Sequence, residues 1–256
     1  MFSKLRTLTW YLKQPKGITL LWLLLKRKTV NASKENTREE SEEWCRQNAV
    51  STETALKQLF PGMTTPVMDL ATAFPKEFSY AHEKANTSPF KMGGQGNLNL
   101  LYNICEQAKA KYVLETGVAY GWSSLSILLS LMKRPGTLLV STDMPYAKMG
   151  NDDYVGTVVP PDFKTRWELI RESDVSGLPK ALKHVPYLDV IHYDSDKSYS
   201  GKMRTYPKLC KKLKDGGIFI SDDINYNVAF RDFCKKQNKQ AIIVPFENRY
   251  VGFFIK

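Results

Sequence analysis

The stretch Val113-Leu-Glu-Thr-Gly-Val-Ala-Tyr-Gly-Trp122 decides how the rest of the chain is read. An apolar run, Tyr112 to Leu114, meets an acidic residue and then two glycines four apart. A small-residue, apolar segment follows from Ser123 to Met132. This pattern predicts a strand, a tight turn and a helix. Glycine at 117 lets the backbone turn sharply and lets a ligand come close. A helix starting near Gly121 aims its free N–H groups over the turn, which is where an open α/β sheet binds nucleotide-like ligands.

The same alternation continues downstream. Strands are predicted at 112–116, 137–142, 167–171, 188–193, 218–221, 241–245 and 250–255, with helices near 121–133, 178–183, 200–213 and 227–238. Asp215-Gly-Gly217 and Glu247-Asn-Arg249 read as turns. The expected fold is α/β: an open, mostly parallel sheet with an antiparallel edge strand. Residues 144–164 include Gly150-Asn-Asp-Asp153 and Pro160-Pro161 and are poor helix material. A loop of that length in a compact domain is usually functional.

Upstream, Met92-Gly-Gly-Gln-Gly96 precedes a helical run from Leu98 to Ala110. It suits either a loop against a ligand's polar end or a hinge into the helix. Residues 29–90 read as a linker and a partly helical cap, with one helix from Glu42 to Phe60 stopped by Pro61-Gly62. Residues 1–28 hold seven basic and no acidic residues, so most of the net charge of +11 sits there rather than in a groove for nucleic acid. Leu5, Leu8 and Leu12 recur at helical spacing, Pro15-Lys-Gly17 breaks the helix, and Ile18 to Leu25 is apolar except for Thr19. That run is too short to span a bilayer, which takes ~20 residues. The segment either lies in a membrane interface or packs on the domain or on a second subunit. The chain thus divides into a basic N-terminal segment (1–28), a cap (29–90) and a main domain (91–256). Four dispersed cysteines make no Cys-x-x-Cys pair, which fits a reducing, cytoplasmic setting, peripheral at the membrane if the N-terminal segment binds there. The sequons Asn31-Ala-Ser33 and Asn86-Thr-Ser88 carry little weight without a cleavable signal.

Acidic residues recur at the strand ends: Glu115, Asp143, Asp194, and Asp222 with Asp223. One such acid reads as a helix cap, but four on one rim favour a shared site. Asp143 lies 22 residues after Gly121, where a carboxylate can accept hydrogen bonds from a ribose. The first turn lacks the Gly-x-Gly-x-x-Gly of a dehydrogenase. Amino-directed nucleic-acid methylation is disfavoured because Asp194-Ser-Asp-Lys197 stands where Asn/Asp-Pro-Pro-Tyr/Phe would be needed. Base C5 methylation is disfavoured because no Pro-Cys occurs. His192, within strand four, reads as core rather than catalyst.

Glu115-Thr-Gly117-x-x-x-Gly121, Asp143, Tyr193-Asp-Ser-Asp-Lys-Ser-Tyr199 and Leu213-Lys-Asp-Gly-Gly-Ile-Phe-Ile-Ser-Asp-Asp-Ile224 together resemble class I S-adenosylmethionine-dependent methyltransferases. The resemblance covers about residues 91–256 and lies nearest to small-molecule O-methyltransferases. It implies a Rossmann-like, seven-stranded sheet with a reversed last strand. It also implies a cofactor half built from Glu115, Gly117, Tyr120, Gly121, Asp143 and Ser173, with the first turn on the methionine part of the cofactor and Asp143 on its ribose. Cation-dependent catechol- and caffeoyl-CoA-type enzymes are similar in carrying Asp-x-x-Lys after strand four and Asp-Asn after strand five. Here those positions read Asp194-Ser-Asp-Lys197 and Asp222-Asp223. Carried over, Asp194, Asp222 and Asp223 would hold a divalent cation such as Mg²⁺, and Lys197 and Asp194 would be catalytic, beside the acceptor hydroxyl. Three carboxylates with no nearby His or Cys suit such a hard ion. A lysine of depressed pKa could take the hydroxyl proton. The implied acceptor is a small molecule or a sugar. A metal-independent enzyme whose acids cap helices, and a cofactor-binding partner protein, are the alternatives. Acceptor specificity is expected from residues 29–96 and 144–164.

Overall fold

Val113 and Leu114, adjacent in the deciding stretch, face opposite sides of a sheet, and the two hydrophobic cores form around them. The computed structural model describes residues 2–29, 32–147 and 150–256, with the side chains of residues 2–5, 28 and 29 outside that description. Asn31 of the first sequon and the side chains of Lys4, Leu5 and Lys28 therefore lie outside the described residues.

In chain order the helices are α1 (Phe2–Lys13), α2 (Gly17–Thr29), α3 (Ala32–Glu35), α4 (Arg38–Asn48), α5 (Thr52–Leu59), α6 (Leu70–Ala73), α7 (Pro75–Asn86), α8 (Leu98–Gln107), α9 (Trp122–Leu131), α10 (Asp174–Ala181), α11 (Tyr199–Lys212) and α12 (Ala229–Lys236). The strands are β1 (Tyr112–Thr116), β2 (Leu138–Thr142), β3 (Trp167–Ile170), β4 (Leu188–Tyr193), β5 (Leu213–Ser221), β6 (Ile242–Phe246) and β7 (Arg249–Ile255). They form one sheet in the order β3-β2-β1-β4-β5-β7-β6. β1 to β5 pair in parallel, and β7 runs antiparallel between β5 and β6. The expected seven-stranded, mostly parallel sheet with a reversed last strand is what the chain forms.

Alternation along the strands divides the core. Val113, Val190, Ile218 and Phe253 pack on one face with Leu100, Ile104, Leu125 and Leu128 from α8 and α9. Leu114, Ile191, Phe219 and Phe254 pack on the other with Tyr206, Leu209, Phe230 and Phe233 from α11 and α12. Both faces are covered, so the strands read as continuous apolar runs. Truncating one of the buried phenylalanines would cost about 3–5 kcal/mol.

Two local readings are corrected. The helix expected over 42–60 is two helices, because the Ser51 side chain caps a new start by accepting from Thr54 N and the backbone before it turns extended. Val50 N donates to Ile243 O at 2.8 Å and Ala49 bridges Ile243, so this break lengthens the sheet edge at β6. The turn expected at Asp215-Gly-Gly217 is instead a bulge inside β5. Leu213 pairs Leu188 and Ile218 pairs Val190, which leaves residues 214–217 opposite Asp189 alone.

Candidate active site

The sheet's ladder pins the rim. Gly117 N donates to Thr142 O (2.8 Å), Asp143 N to Ile170 O (3.0 Å), Asp194 N to Thr116 O (2.9 Å) and Asp222 N to Tyr193 O (2.9 Å). Gly117 has φ +81°, and a Cβ there would sit 2.2 Å from Asp194 O, so only glycine lets the first turn close onto the end of β4. Above these strand ends lies a cavity of about 440 Å³. Of the residues singled out from sequence, Gly117, Asp143, Ser173, Asp194, Lys197 and Asp222 line it. The Met92–Gly96 loop lines it as well, as does Tyr146 of the long loop.

Glu115, Tyr120, Gly121 and Asp223 sit behind that lining. Glu115 is fully buried and accepts from Ser124 Oγ (2.5 Å) and Ser141 Oγ (2.8 Å), tying β1 to α9 and β2. Tyr120 OH donates to Phe90 O. At Gly121 a Cβ would meet Gly156 Cα at 2.9 Å, so its bareness seats the long loop against the turn. That loop is fastened there by Gly156 N donating to Ala119 O (2.9 Å) and Val158 N to Tyr120 O (3.1 Å).

Asp143 pins the first turn. Its Oδ1 accepts from Val118 N (2.8 Å) and Ala119 N (3.4 Å), and its Oδ2 pairs with Arg171. Burial raises its pKa, against those hydrogen bonds and the Arg171 charge. Asp174, at the start of α10 and absent from the sequence reading, also lines the cavity and accepts from Ser195 Oγ at 2.5 Å. Burial pushes it to about 6.

The β4–β5 side is a charge network. Lys197 Nζ lies 3.9 Å from Asp194 Oδ1 and pairs with Asp223 Oδ2. Arg249 Nε is 3.9 Å from Asp223 Oδ1. Lys202, fully buried in α11, donates to Asp223 O at 2.8 Å and is lowered to about 8 by burial. His192 stands between Glu115 Oε1 (3.6 Å from Nδ1) and Asp222 Oδ1 (3.4 Å from Nε2). Burial lowers its pKa, but the two acids outweigh burial and raise it to about 10. The histidine read as core is indeed buried, and it also lines the cavity.

Two chemical expectations change as a result. Lys197 lacks the depressed pKa that the proton-acceptor role calls for: burial pulls its pKa down, yet Asp194 and Asp223 more than offset this and raise it. Asp194 is the group near neutrality. Burial and then the Asp222 charge push it to about 7, and its buried Oδ1 has no hydrogen-bond partner. The three acids also do not fit a divalent cation. Asp222 is compensated by His192, Asp223 by Lys197, and Asp223 does not face the cavity. Among the described residues no three His, Cys, Asp or Glu side chains converge to hold a metal. The premise of no nearby histidine fails at His192.

Residues 114–224 match a family model described as a methyltransferase domain. Over that stretch the chain resembles a methyltransferase domain. No curated protein matches the sequence. Its fold is that of S-adenosylmethionine-dependent O-methyltransferases of known structure. An O-methyltransferase from Bacillus cereus, solved with S-adenosylhomocysteine, is 14% identical with a TM-score of 0.54, covering 80% of this chain and 100% of its own. A candidate caffeoyl-CoA O-methyltransferase from Staphylococcus aureus is 14% identical with a TM-score of 0.55, covering 73% and 96%. The O-methyltransferase TomG of Streptomyces achromogenes, involved in tomaymycin synthesis and solved with S-adenosylmethionine, is 14% identical with a TM-score of 0.51, covering 81% and 99%. At that identity the likeness is one of fold. The resemblance read from the strand-end motifs of the methyltransferase domain is borne out.

Proposed function

We propose that this protein transfers a methyl group from S-adenosylmethionine to a hydroxyl of a small molecule or sugar. The observation that carries the reading is Asp194: a carboxyl group that lines the cavity next to the glycine turn, poised near neutrality, whose buried Oδ1 has no hydrogen-bond partner. S-adenosylmethionine, when bound, supplies an electrophilic methyl on a sulfonium sulfur, which departs as a neutral thioether. In this reading the first turn and Asp143 seat that ligand. Asp194 takes the acceptor's hydroxyl proton as the oxygen–carbon bond forms, and a base near pKa 7 is suited to that at neutral pH. Lys197, held cationic beside Asp194, steadies the ionised carboxylate and orients the acceptor oxygen. Because both groups are fixed at strand ends, positioning supplies much of the rate.

Divalent-cation assistance, implied by the resemblance, finds no ligand set among the described residues. Turnover is therefore expected to be unchanged in excess chelator, whereas a rate restored only by Mg²⁺ would overturn this. Calorimetry with S-adenosylhomocysteine tests the whole reading, and no binding would sink it. The basic N-terminal segment supports peripheral membrane contact.

A further inference from the structure

The excess positive charge and most of the exposed apolar side chains lie on one helical hairpin, α1–α2, whose inner face is a wall of the cavity. The two helices meet through Lys16 (φ 55°) and Gly17, where a Cβ would sit 2.1 Å from Tyr11 O. Tyr11, Leu20, Leu23, Leu24 and Arg27 line the cavity from this hairpin. Lys16 Nζ donates to Val175 O at 3.4 Å, and Arg27 Nε lies 3.7 Å from Glu35, so polar links fasten the hairpin to the body at both ends of α2.

The outer face is apolar and basic. Leu8 is 43% exposed, Leu12 51%, Ile18 77% and Trp22 55%, each pair one helical turn apart. Six of the eleven exposed large apolar side chains among the described residues fall between Leu8 and Leu25, a concentration that marks an interaction surface. Arg6, Lys13, Lys16 and Lys26 are exposed around them, and no acidic residue lies in residues 1–28. Lys26 Nζ sits 5.0 Å over the Trp22 ring. A second copy of this chain fits poorly, because a self-complementary interface would set these cations against each other. A nucleic-acid phosphate backbone would leave Leu12, Ile18 and Trp22 without an apolar partner. α1 has 12 residues and α2 has 13, too short to cross a bilayer, so the hairpin would lie in the interface plane.

We propose that the outer face of the α1–α2 hairpin docks on an anionic lipid bilayer, which turns the cavity wall built by its inner face toward the membrane surface. The docking gives content to the peripheral contact in the proposed function, and it stands or falls independently of methyl transfer. The test is co-sedimentation of the full chain with phosphatidylcholine vesicles, with and without phosphatidylglycerol. Binding is expected only with the anionic lipid. The double variant Ile18→Glu, Trp22→Glu is expected to bind at least about tenfold more weakly. Neither side chain lines the cavity, so the variant's affinity for S-adenosylhomocysteine should match that of the parent. Equal binding to neutral vesicles, no binding to anionic ones, or unimpaired binding by the double variant would each overturn the proposal. So would a dimer in solution that the double variant dissolves while vesicles capture neither form. Loss of S-adenosylhomocysteine binding by the parent would instead strike the methyltransferase reading and leave the docking intact.

Discussion

The two halves of the strand-end rim use acidic residues in opposite ways. On the β1–β2 side, Glu115 Oε2 accepts from two serine hydroxyls and Asp143 Oδ1 from Val118 N, at 2.5–2.8 Å. These acids are construction: they fix the glycine turn and the strands beneath it. On the β4–β5 side, Asp194, Asp222 and Asp223 face Lys197, Arg249 and His192, with several separations of 3.4–3.9 Å and several polar atoms unbonded. Here one close ion pair, Lys197 with Asp223, stands beside carboxylate oxygens of Asp194 and Asp223 that have no hydrogen-bond partner. A buried group held that way has a shifted pKa and can exchange a proton, which is the property a catalytic site needs. The same motif, an acid ending a parallel strand, thus yields a scaffold on one side and a titrating site on the other.

The sharpest way to break that contrast is Asp194→Asn. It should lower methyl transfer by roughly 10²–10⁴-fold, the usual contribution of a general base, while S-adenosylhomocysteine affinity stays unchanged. In the parent, turnover should rise as pH climbs through about 7 and Asp194 ionises. A variant with full turnover would place Asp194 among the scaffold acids. Next in size is Asp143→Ala. It leaves Val118 N without its acceptor and Arg171 without its buried partner, so the affinity for S-adenosylhomocysteine should fall by about tenfold to a hundredfold. Asp143→Asn keeps an acceptor oxygen and should lose less. Equal losses in both variants would mean the negative charge, and not the pinned turn, holds the ligand.

How much of this was legible depends on whether the signal was periodic. The strands and the acids at Glu115, Asp143, Asp194 and Asp222 stood out because a parallel sheet buried on both faces spells apolar runs that end abruptly in a polar residue. The contents of the network did not stand out. Lys202 reads as one more surface lysine of a basic helix, yet the carbonyls of Asp222 and Asp223 draw it inside. His192 sits in an apolar run, and only pairing of β4 with β1 and β5 brings Glu115 and Asp222 to its two nitrogens. Arg171 meets Asp143 across 28 residues. The hairpin at residues 2–29 showed its helices and its charge, but not that α2 would fold back over the strand ends. Such long-range juxtapositions carry no local pattern.

A smaller effect tests whether charge balance sets the titration. Lys197 lowers the pKa of Asp194 against the push of burial. Lys197→Met removes that pull and should move the acid limb of the pH–rate profile upward by about one unit. An unmoved limb would mean that Arg249, His192 and Lys202 suffice.

The smallest expected effect lies in stability rather than rate, and it probes the boundary between the two halves. His192 touches both, with Glu115 on the construction side and Asp222 on the titrating side. Burial alone would favour the neutral ring, but the two carboxylates outweigh it and raise the pKa from 6.5 to about 10. The folded protein therefore keeps this proton after the unfolded chain has lost it. That stabilisation is complete below about pH 6.5 and fades as pH rises toward about 10. The melting temperature of the parent should decline over that window. His192→Gln, which cannot carry the charge, should lack this component, so the gap between parent and variant should narrow by a few degrees from about pH 6 to about pH 10. A gap that stays constant would show a neutral imidazole. Asp222 would then be left without the cation that holds its own pKa below the usual carboxylate range, and the boundary drawn at β4 would have to move.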